Sequence, residues 1–218
     1  MSSHGQDLEE DLRWREAELA SLKLLVLDSA HNTVRPEGLL RAMCALLYAH
    51  YEGFCKFAWE YYLGSLEKTQ VRRRDCVERI ARVSLQKDFQ AMRADLSPDA
   101  IWAFCTRTFR SLMQEELSFS LKLETNSNLW PRLLIANSSS VGLACSAAQD
   151  HAVKLQSLVS RRNEIAHGRR MTISSLAEYQ EYEDAAIVVM HELAISVLEA
   201  LESKSYLLDP SVDSNVVA

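Results

Sequence analysis

Apolar residues recur at helical spacing along most of the chain. The first such stretch covers residues 6–29, where intervals of three, four and seven separate Leu8, Leu12, Leu19, Leu22 and Val26. These intervals place the apolar side chains along one face of an α-helix. Six Gly and four Pro leave few turn signals, and long stretches rich in Leu, Ala, Glu, Arg and Gln favour helix elsewhere. The pattern predicts an all-α protein.

Local signals at helix ends divide this pattern into elements. A Ser-Pro-Asp string at residues 97–99 and two capping boxes, beginning at Ser146 and Ser175, indicate helix starts. Pro36 suits a first helical turn, and Gly168 is placed to end a helix. We predict helices over 6–29, 36–66, 67–95, 98–123, 131–137, 146–167 and 175–203.

Length and hydrophobicity bound the domain organisation. A chain of 218 residues, 48% of them hydrophobic, suffices for one domain with a real core. We predict a single helical domain over 1–208, a mid-chain helical insertion over about 67–125, and a flexible tail over 209–218. The second helix is rich in aromatic residues, which could form a base-stacking platform, but helical spacing favours the core for Tyr48, Tyr51, Phe54, Trp59, Tyr61 and Tyr62.

The charge balance argues against a protein that coats nucleic acid without specificity. The net charge is −6 and the pI is about 5.6, whereas such binders usually have a broadly basic surface. One basic cluster, typical of a solvated helix face, consists of Arg72, Arg73, Arg74, Arg79 and Arg82. A second cluster, around a histidine, consists of Arg161, Arg162, Arg169 and Arg170. Any contact with RNA should therefore be local.

Cysteine and histidine spacing gives no support for a metal site or a cofactor. The five cysteines form no Cys-x-x-Cys pair, which is typical of reduced, buried thiols in a cytoplasmic protein. The six histidines show no His-Glu-x-x-His spacing. A glycine-rich phosphate loop, a basic-apolar leader and an apolar run of eighteen residues are all missing from the sequence. We therefore expect no cofactor, no metal and no membrane span.

One short string combines groups that can handle a phosphodiester. It reads Arg161-Arg162-Asn163-Glu164-Ile165-Ala166-His167-Gly168. Arginine carries a permanent charge on a planar fork that matches phosphate oxygens. Histidine titrates near neutral pH and can move a proton without a metal. The string is therefore the main candidate for chemistry.

The fuller pattern Arg162-Asn163-x-x-x-His167-Gly168 resembles the HEPN superfamily motif, in which an arginine is followed after four to six residues by a histidine. The string Ala49-His50-Tyr51-Glu52-Gly53-Phe54 resembles an early helix of stand-alone bacterial HEPN-like nucleases, and Asn126-Ser127-Asn128-Leu129 is also similar to that branch. The resemblance implies an up-and-down helical bundle with additional helices, about six to seven in all. It also implies a homodimer.

Helix geometry alone does not bring the three motif groups together. Asn163 and His167 are four residues apart and share a face. Arg162 and His167 are five apart, which separates them by about 140° on a regular helix. Either the helix ends or bends at the motif, or the arginine side chain reaches around, or a second copy completes the site. The HEPN resemblance implies the last arrangement, with two motifs facing each other across a dimer cleft.

The HEPN ribonuclease resemblance implies RNA cleavage without a metal, by attack of the 2′-hydroxyl on the adjacent phosphorus. His167 is then the general acid or base, Arg162 holds the phosphate, and Asn163 orients the imidazole or donates to the phosphate. Further candidates are supporting residues Glu52, His50 and Arg161, and substrate-binding residues Arg169 and Arg170. The structural alternative pairs Arg162 with Glu164 or Glu52 and leaves His167 as a helix cap.

The resulting functional expectation is a cytoplasmic endoribonuclease that acts as a toxin or phage-defence effector and is held in check by an antitoxin protein. A rival is a non-catalytic HEPN module that binds nucleotide, RNA or a partner protein. A third class is a structural helical dimer in which Arg162 and His167 form an interhelical network. Toxicity on expression that depends on His167 separates the first class from the other two.

Overall fold

The computed structural model describes residues 3–29, 36–120, 123 and 128–209. The helices in these ranges are α1 (Ser3–Ser29), α2 (Pro36–Glu67), α3 (Glu78–Ser84), α4 (Gln86–Ala94), α5 (Pro98–Ala103), α6 (Phe109–Leu112), α7 (Pro131–Ser140), α8 (Ser146–Asp150), α9 (Ala152–Ala166) and α10 (Leu176–Glu202). A π-helical turn (Phe104–Thr108) joins α5 to α6, and a 3-10 turn (Arg73–Asp75) precedes α3. Across the described residues we find no β-strand, so the all-α prediction is confirmed. With 98–112 counted as one helix, the described ranges contain nine α-helices, and the prediction of six to seven is wrong.

Helix α2 packs against three other helices of the bundle, α1, α9 and α10. Its aromatic residues fill the interior, as the helical spacing predicts. Tyr61 is partly buried, and the fully buried members are Tyr48, Tyr51, Phe54, Trp59 and Tyr62. Trp59 donates its indole N–H to Ser138 Oγ at 3.1 Å, which satisfies a polar group inside the core. One cluster of buried apolar side chains extends from Leu8 to Tyr206.

The predicted helix over 98–123 is too long, because helical structure ends at Leu112. Beyond that residue the chain turns back and bonds to the segment before α3. The Arg73 N–H donates to the Glu115 carbonyl at 3.0 Å, and the Leu117 N–H donates to the Val71 carbonyl at 2.9 Å. These long-range bonds override the local preference for helix.

The predicted helix over 146–167 is wrong in a different way, because it is two helices separated at His151. The start of α8 is capped from a distant helix. Glu192 accepts from the Ser146 N–H at 3.0 Å and from the Ala147 N–H at 2.8 Å, so the predicted capping box with Gln149 is not used. The stretch over 67–95 is likewise divided into a 3-10 turn, α3 and α4.

The first basic cluster does not form a solvated helix face. Arg73 is buried, where its guanidinium donates to Ser84 Oγ at 2.8 Å and to Glu115 Oε2 at 2.9 Å. It therefore fastens the segment before α3 to the chain after α6. The other four arginines of the cluster are exposed.

The two ends of α2 meet different parts of the chain. Near its start, Arg41 donates to the Arg169 carbonyl at 3.2 Å, just beyond α9. At its end, Glu67 accepts from the Phe119 N–H at 2.6 Å, close to where residues 86–112 leave the bundle. We call residues 86–112, which comprise α4 to α6, the arm. The predicted tail lies outside the described residues, apart from Asp209.

Candidate functional site

The helix that carries the motif ends at the motif itself. His167 follows the last residue of α9, and Gly168 has a φ of +70°, a left-handed conformation that glycine adopts without a Cβ penalty. The Gly168 N–H donates to the Ile165 carbonyl at 3.0 Å, and the Arg169 N–H donates to the Glu164 carbonyl at 2.9 Å. This pair of bonds is a Schellman motif, which satisfies the last helical carbonyls. Gly168 therefore ends α9 as predicted.

Arg162 is held on several sides by the fold. One guanidinium nitrogen donates to Asn128 Oδ1 at 2.8 Å and to Asn163 Oδ1 at 3.0 Å. The guanidinium carbon lies 4.2 Å from the centre of the Tyr48 ring, within cation–π distance. The other terminal nitrogen is 3.9 Å from Glu52 Oε2. The side chain of Arg162 keeps 29% of its surface exposed, so part of this cation remains open to a ligand.

Tyr48 and Glu52 form the floor of this site. The buried Tyr48 hydroxyl accepts from the Leu129 N–H at 2.9 Å, and burial raises the pKa of Tyr48 well above its ordinary value, with a hydrogen bond to Glu52 adding to the effect. Glu52 is mostly covered and also pairs with Lys56 at 2.8 Å. Its charge is therefore compensated by two cations, Lys56 on α2 and Arg162 on α9.

His167 stands apart from this arrangement. Its side chain is exposed, and no hydrogen bond or ion pair joins its imidazole to any residue that the structure describes. Arg162 and Asn163 are brought together, whereas His167 makes no such bond to either side chain. Of the arrangements compatible with the helix geometry, the end of α9 at the motif is observed. Among the charge partners considered for Arg162, Glu52 is nearby, and Glu164 pairs with Arg169 at 2.8 Å instead.

Arg161 points to a different part of the molecule. It donates to the Tyr182 hydroxyl at 2.9 Å and to the Thr172 carbonyl at 3.0 Å, and it pairs with Glu178. The Ser174 N–H, the Tyr182 hydroxyl and Arg161 together hold the pKa of Glu178 below its usual range. The structure therefore gives Arg161 a role in fastening the segment after the motif to α10. Arg170 is exposed and has no carboxylate partner within the described ranges.

His50 lies on the side of α2 that faces α1. Its Nε2 is 2.8 Å from Glu18 Oε2, and its Nδ1 is 3.4 Å from the Arg15 guanidinium. Since a guanidinium only donates, Nδ1 accepts and Nε2 carries the proton toward Glu18. Burial lowers the pKa of His50, although Glu18 opposes the shift. Gly53 serves the same contact, because a Cβ there would lie 3.1 Å from the Arg15 guanidinium.

Sequence reasoning missed Tyr48 and Asn128 as parts of the site. The helical spacing assigns Tyr48 only to the core, although Tyr48 precedes Glu52 by four residues and so shares a face of α2 with it. That spacing is a usable signal. Asn128 belongs to the string at residues 126–129 that resembles the HEPN branch, but no spacing links it to Arg162, because it lies 34 residues away in sequence and reaches Arg162 only through the folded chain.

The family model described as MAE_28990-like HEPN matches residues 5–206, nearly the whole chain. The chain belongs to this HEPN family. No curated protein and no solved structure matches it. Membership supports a nuclease-like or nucleotide-binding HEPN module, and HEPN domains often dimerise and bind RNA.

The described ranges of this HEPN chain contain neither a membrane-spanning helix nor a cluster of metal-ligating side chains. None of its helices there is long and apolar enough to cross a membrane. In the same part of the chain, no three His, Cys, Asp or Glu side chains are grouped so that they could hold a metal ion. Four of the five cysteines are buried, and all five are unpaired thiols.

Proposed function

We propose that this HEPN protein is a metal-independent endoribonuclease in which Arg162, Asn163 and His167 act on the scissile phosphate. The supporting observation is the contrast between two side chains at the end of α9. Arg162 is fixed in place by Tyr48, Asn128 and Asn163 yet remains partly exposed. His167 is exposed, with its imidazole making no hydrogen bond to the described residues. A fixed cation and an accessible proton carrier are the groups that metal-free phosphodiester cleavage needs.

The reaction begins with the 2′-hydroxyl of the RNA. One histidine removes its proton, the 2′-oxygen bonds to phosphorus, and the bond from phosphorus to the 5′-oxygen breaks. A second acid returns a proton to the departing 5′-oxygen. The products are a 2′,3′-cyclic phosphate and a 5′-hydroxyl. Arg162 stabilises the charge that develops on the non-bridging oxygens, because a guanidinium can donate two parallel hydrogen bonds to them.

A homodimer supplies the second acid in this proposal. His167 from each of two copies would enter one cleft, with one imidazole as base and the other as acid. The end of α9 suits such a meeting, because residues 166–170 are exposed. Specific activity per subunit should then fall on dilution through the range where light scattering shows dissociation. Activity that is constant per subunit across dissociation would place both proton transfers in one copy.

The decisive assay uses purified protein, mixed RNA and excess EDTA. We expect wild-type protein to cut and to leave cyclic-phosphate ends. Arg162→Ala and His167→Ala should lose cleavage while circular dichroism and light scattering show unchanged fold and oligomeric state. Arg13→Ala and His191→Ala serve as controls, because both residues are exposed and lie on other helices. Equal cleavage by wild type and all four variants would refute the roles proposed for Arg162 and His167.

The biological setting proposed for this activity is a toxin or phage-defence effector restrained by an antitoxin. Expression in bacteria should then stop growth, and His167→Ala should remove the toxicity. Wild-type protein that accumulates without harm in the absence of any partner would contradict this setting. That result would not bear on cleavage itself, which the assay with purified protein tests.

One observation favours a second candidate, a binding module without catalysis. Arg162 already has Asn128, Asn163 and Glu52 around its guanidinium, and it makes no hydrogen bond to His167. Such a site could bind a nucleotide or RNA phosphate and do nothing further. Binding that depends on Arg162, with no cleavage by wild type and no effect of His167→Ala, would establish this alternative.

A further inference from the structure

The arm, residues 86–112, has an unusual surface for a helical hairpin. None of its residues is buried, and its two helices contact each other through Phe89 and Phe104, whose ring centroids are 6.1 Å apart. Trp102 has 70% of its surface exposed. Phe109 is 39% exposed, but its ring lies 6.1 Å from that of Phe104, on the side that meets Phe89. A large aromatic side chain as exposed as that of Trp102 is a candidate for contact with a partner.

Trp102 is followed along the arm by polar and cationic residues. Thr106 donates its hydroxyl to the Trp102 carbonyl at 2.6 Å, so it lies about one turn further along the helix. Arg107 lies in the π-helical turn and Arg110 lies in α6, and both are exposed. Residues 102–110 therefore expose an indole, a hydroxyl and two guanidinium groups.

The charge of this region is opposite to that of the rest of the chain. Residues 86–112 contain four Arg or Lys and three Asp or Glu, a net charge of +1, whereas the whole chain carries −6. The acids of the arm lie near helix starts. Asp88 and Asp99 are in first turns, and Asp95 accepts from the Ser97 N–H at 2.9 Å. In the described part of the chain no carboxylate lies within ion-pair distance of the arm cations, Lys87, Arg93, Arg107 and Arg110.

We propose that the arm binds single-stranded RNA, with Trp102 stacking on a base and Arg107 and Arg110 contacting phosphates. This inference rests on the proposed function for its choice of ligand. Unpaired cations on an otherwise acidic protein attract a polyanion locally, and exposed aromatic rings stack on bases of any sequence. A protein partner at the same place would need an acidic surface. The test below distinguishes such a partner from RNA.

The position of the arm adds a length requirement. It leaves the bundle at the Glu67 end of α2, whereas the Arg162 site lies over Tyr48. Those two α2 residues are separated by about 28 Å along the helix, at 1.5 Å per residue. An RNA strand at about 3.4 Å per nucleotide needs roughly eight nucleotides to cover that distance. Short RNA can occupy one location, and longer RNA can occupy both.

The test measures RNA affinity in the full chain carrying His167→Ala, so that the RNA stays intact. Fluorescence anisotropy compares labelled single-stranded RNAs of about 30 and about five nucleotides, lengths chosen from the spacing above. The arm variants are Trp102→Ala and the double variant Arg107→Gln with Arg110→Gln. The matched control is Arg13→Gln with Lys68→Gln, which removes the same charge from exposed positions off the arm. Circular dichroism confirms that each protein is folded.

We expect both arm variants to weaken binding of the long RNA by about fivefold or more, the lower bound for loss of one stacked base. The control should keep the parent affinity for both RNAs. A smaller effect on the long RNA, or no binding of the long RNA by the parent, would overturn the proposal. If the parent does not bind the long RNA, the arm is a contact surface for a protein partner instead.

The outcome is separable from that of the proposed nuclease function. Arm-dependent binding with no cleavage by wild-type protein would support the arm and sink the nuclease. If cleavage depends on His167 but RNA affinity is unchanged in the arm variants, the nuclease function is supported and RNA binding by the arm is refuted.

Discussion

The guanidinium carbon of Arg162 lies 4.2 Å from the centre of the Tyr48 ring. Tyr48 is buried and its hydroxyl accepts from the Leu129 N–H, so the ring has no freedom to follow the arginine. Asn128 and Asn163 bind the edge of the same guanidinium. The charge proposed to meet the phosphate is therefore positioned by the protein before any ligand arrives, which reduces the ordering that binding requires.

Substitution of Tyr48 tests this positioning. Tyr48→Phe keeps the ring under Arg162 but leaves the Leu129 N–H without its acceptor, which should lower the free energy of unfolding by about 1–3 kcal/mol. Tyr48→Ala removes the ring as well and should cost about 3–5 kcal/mol. Urea unfolding measures both values. Cleavage should fall at least about tenfold further in Tyr48→Ala than in Tyr48→Phe, since only the former frees Arg162. Equal activity losses would mean that the ring does not position the arginine.

Arg161 should behave as a structural residue. Arg161→Ala removes an ion pair with Glu178 and hydrogen bonds to Tyr182 and Thr172 in a partly covered location. We expect the free energy of unfolding to fall by about 1–3 kcal/mol. Arg170→Ala is the control, because Arg170 is exposed and should change stability by less than about 0.5 kcal/mol. Similar stability of the two variants in urea would contradict the assignment.

Alanine substitution should have opposite effects on stability at Gly168 and Gly38, because only Gly168 has a left-handed backbone conformation. Gly168→Ala meets no atom within 4 Å, so its cost comes from the backbone, with a φ of +70°. We expect it to destabilise the protein by about 1 kcal/mol. Gly38→Ala also meets open space but lies inside α2, where alanine favours helix, so this variant should be as stable as wild type or more so. Thermal unfolding of the pair gives the comparison, and a stabilising Gly168→Ala would show that α9 does not end as described.

The buried His50 predicts a pH dependence of stability. Its pKa in the folded protein is lowered by burial, while that of a histidine in the unfolded chain is about 6.5. Between these two values the unfolded chain binds more protons, so stability must fall as the pH falls through this window. His50→Gln removes the proton-binding group and should flatten the decline as the pH falls below about 6.5. Denaturant titrations at several pH values measure the slopes, and parallel slopes in the two proteins would refute the assignment.

Features that depend on neighbouring residues could be predicted from the sequence, and features that depend on distant contacts could not. Periodicity predicted α1 and α2, and Gly168 predicted the end of α9. The capping of α8 by Glu192 escaped prediction because Glu192 is 46 residues from Ser146. Asn128 escaped for the same reason. Tyr48 and Glu52 were within reach, because their spacing of four residues places both on the face that meets Arg162.

The two faces of α2 also separate residues that the sequence placed together. Glu52 and His50 are two residues apart, yet Glu52 lies beside Arg162 and His50 lies beside Arg15 and Glu18. The string at residues 49–54 therefore contacts α1 through His50 and contributes Glu52 to the candidate site on another face of α2. We expect Glu52→Gln to affect cleavage and His50→Gln to affect stability.

The most direct test of the central claim compares two versions of one oligonucleotide in EDTA, unmodified RNA and its 2′-O-methyl form, with wild-type protein and folded His167→Ala. If His167 moves the proton of an attacking 2′-hydroxyl, wild type cuts the unmodified RNA and leaves the methylated form intact, and His167→Ala cuts neither. Cleavage of the methylated form, or unchanged cleavage of RNA by His167→Ala, would contradict the account.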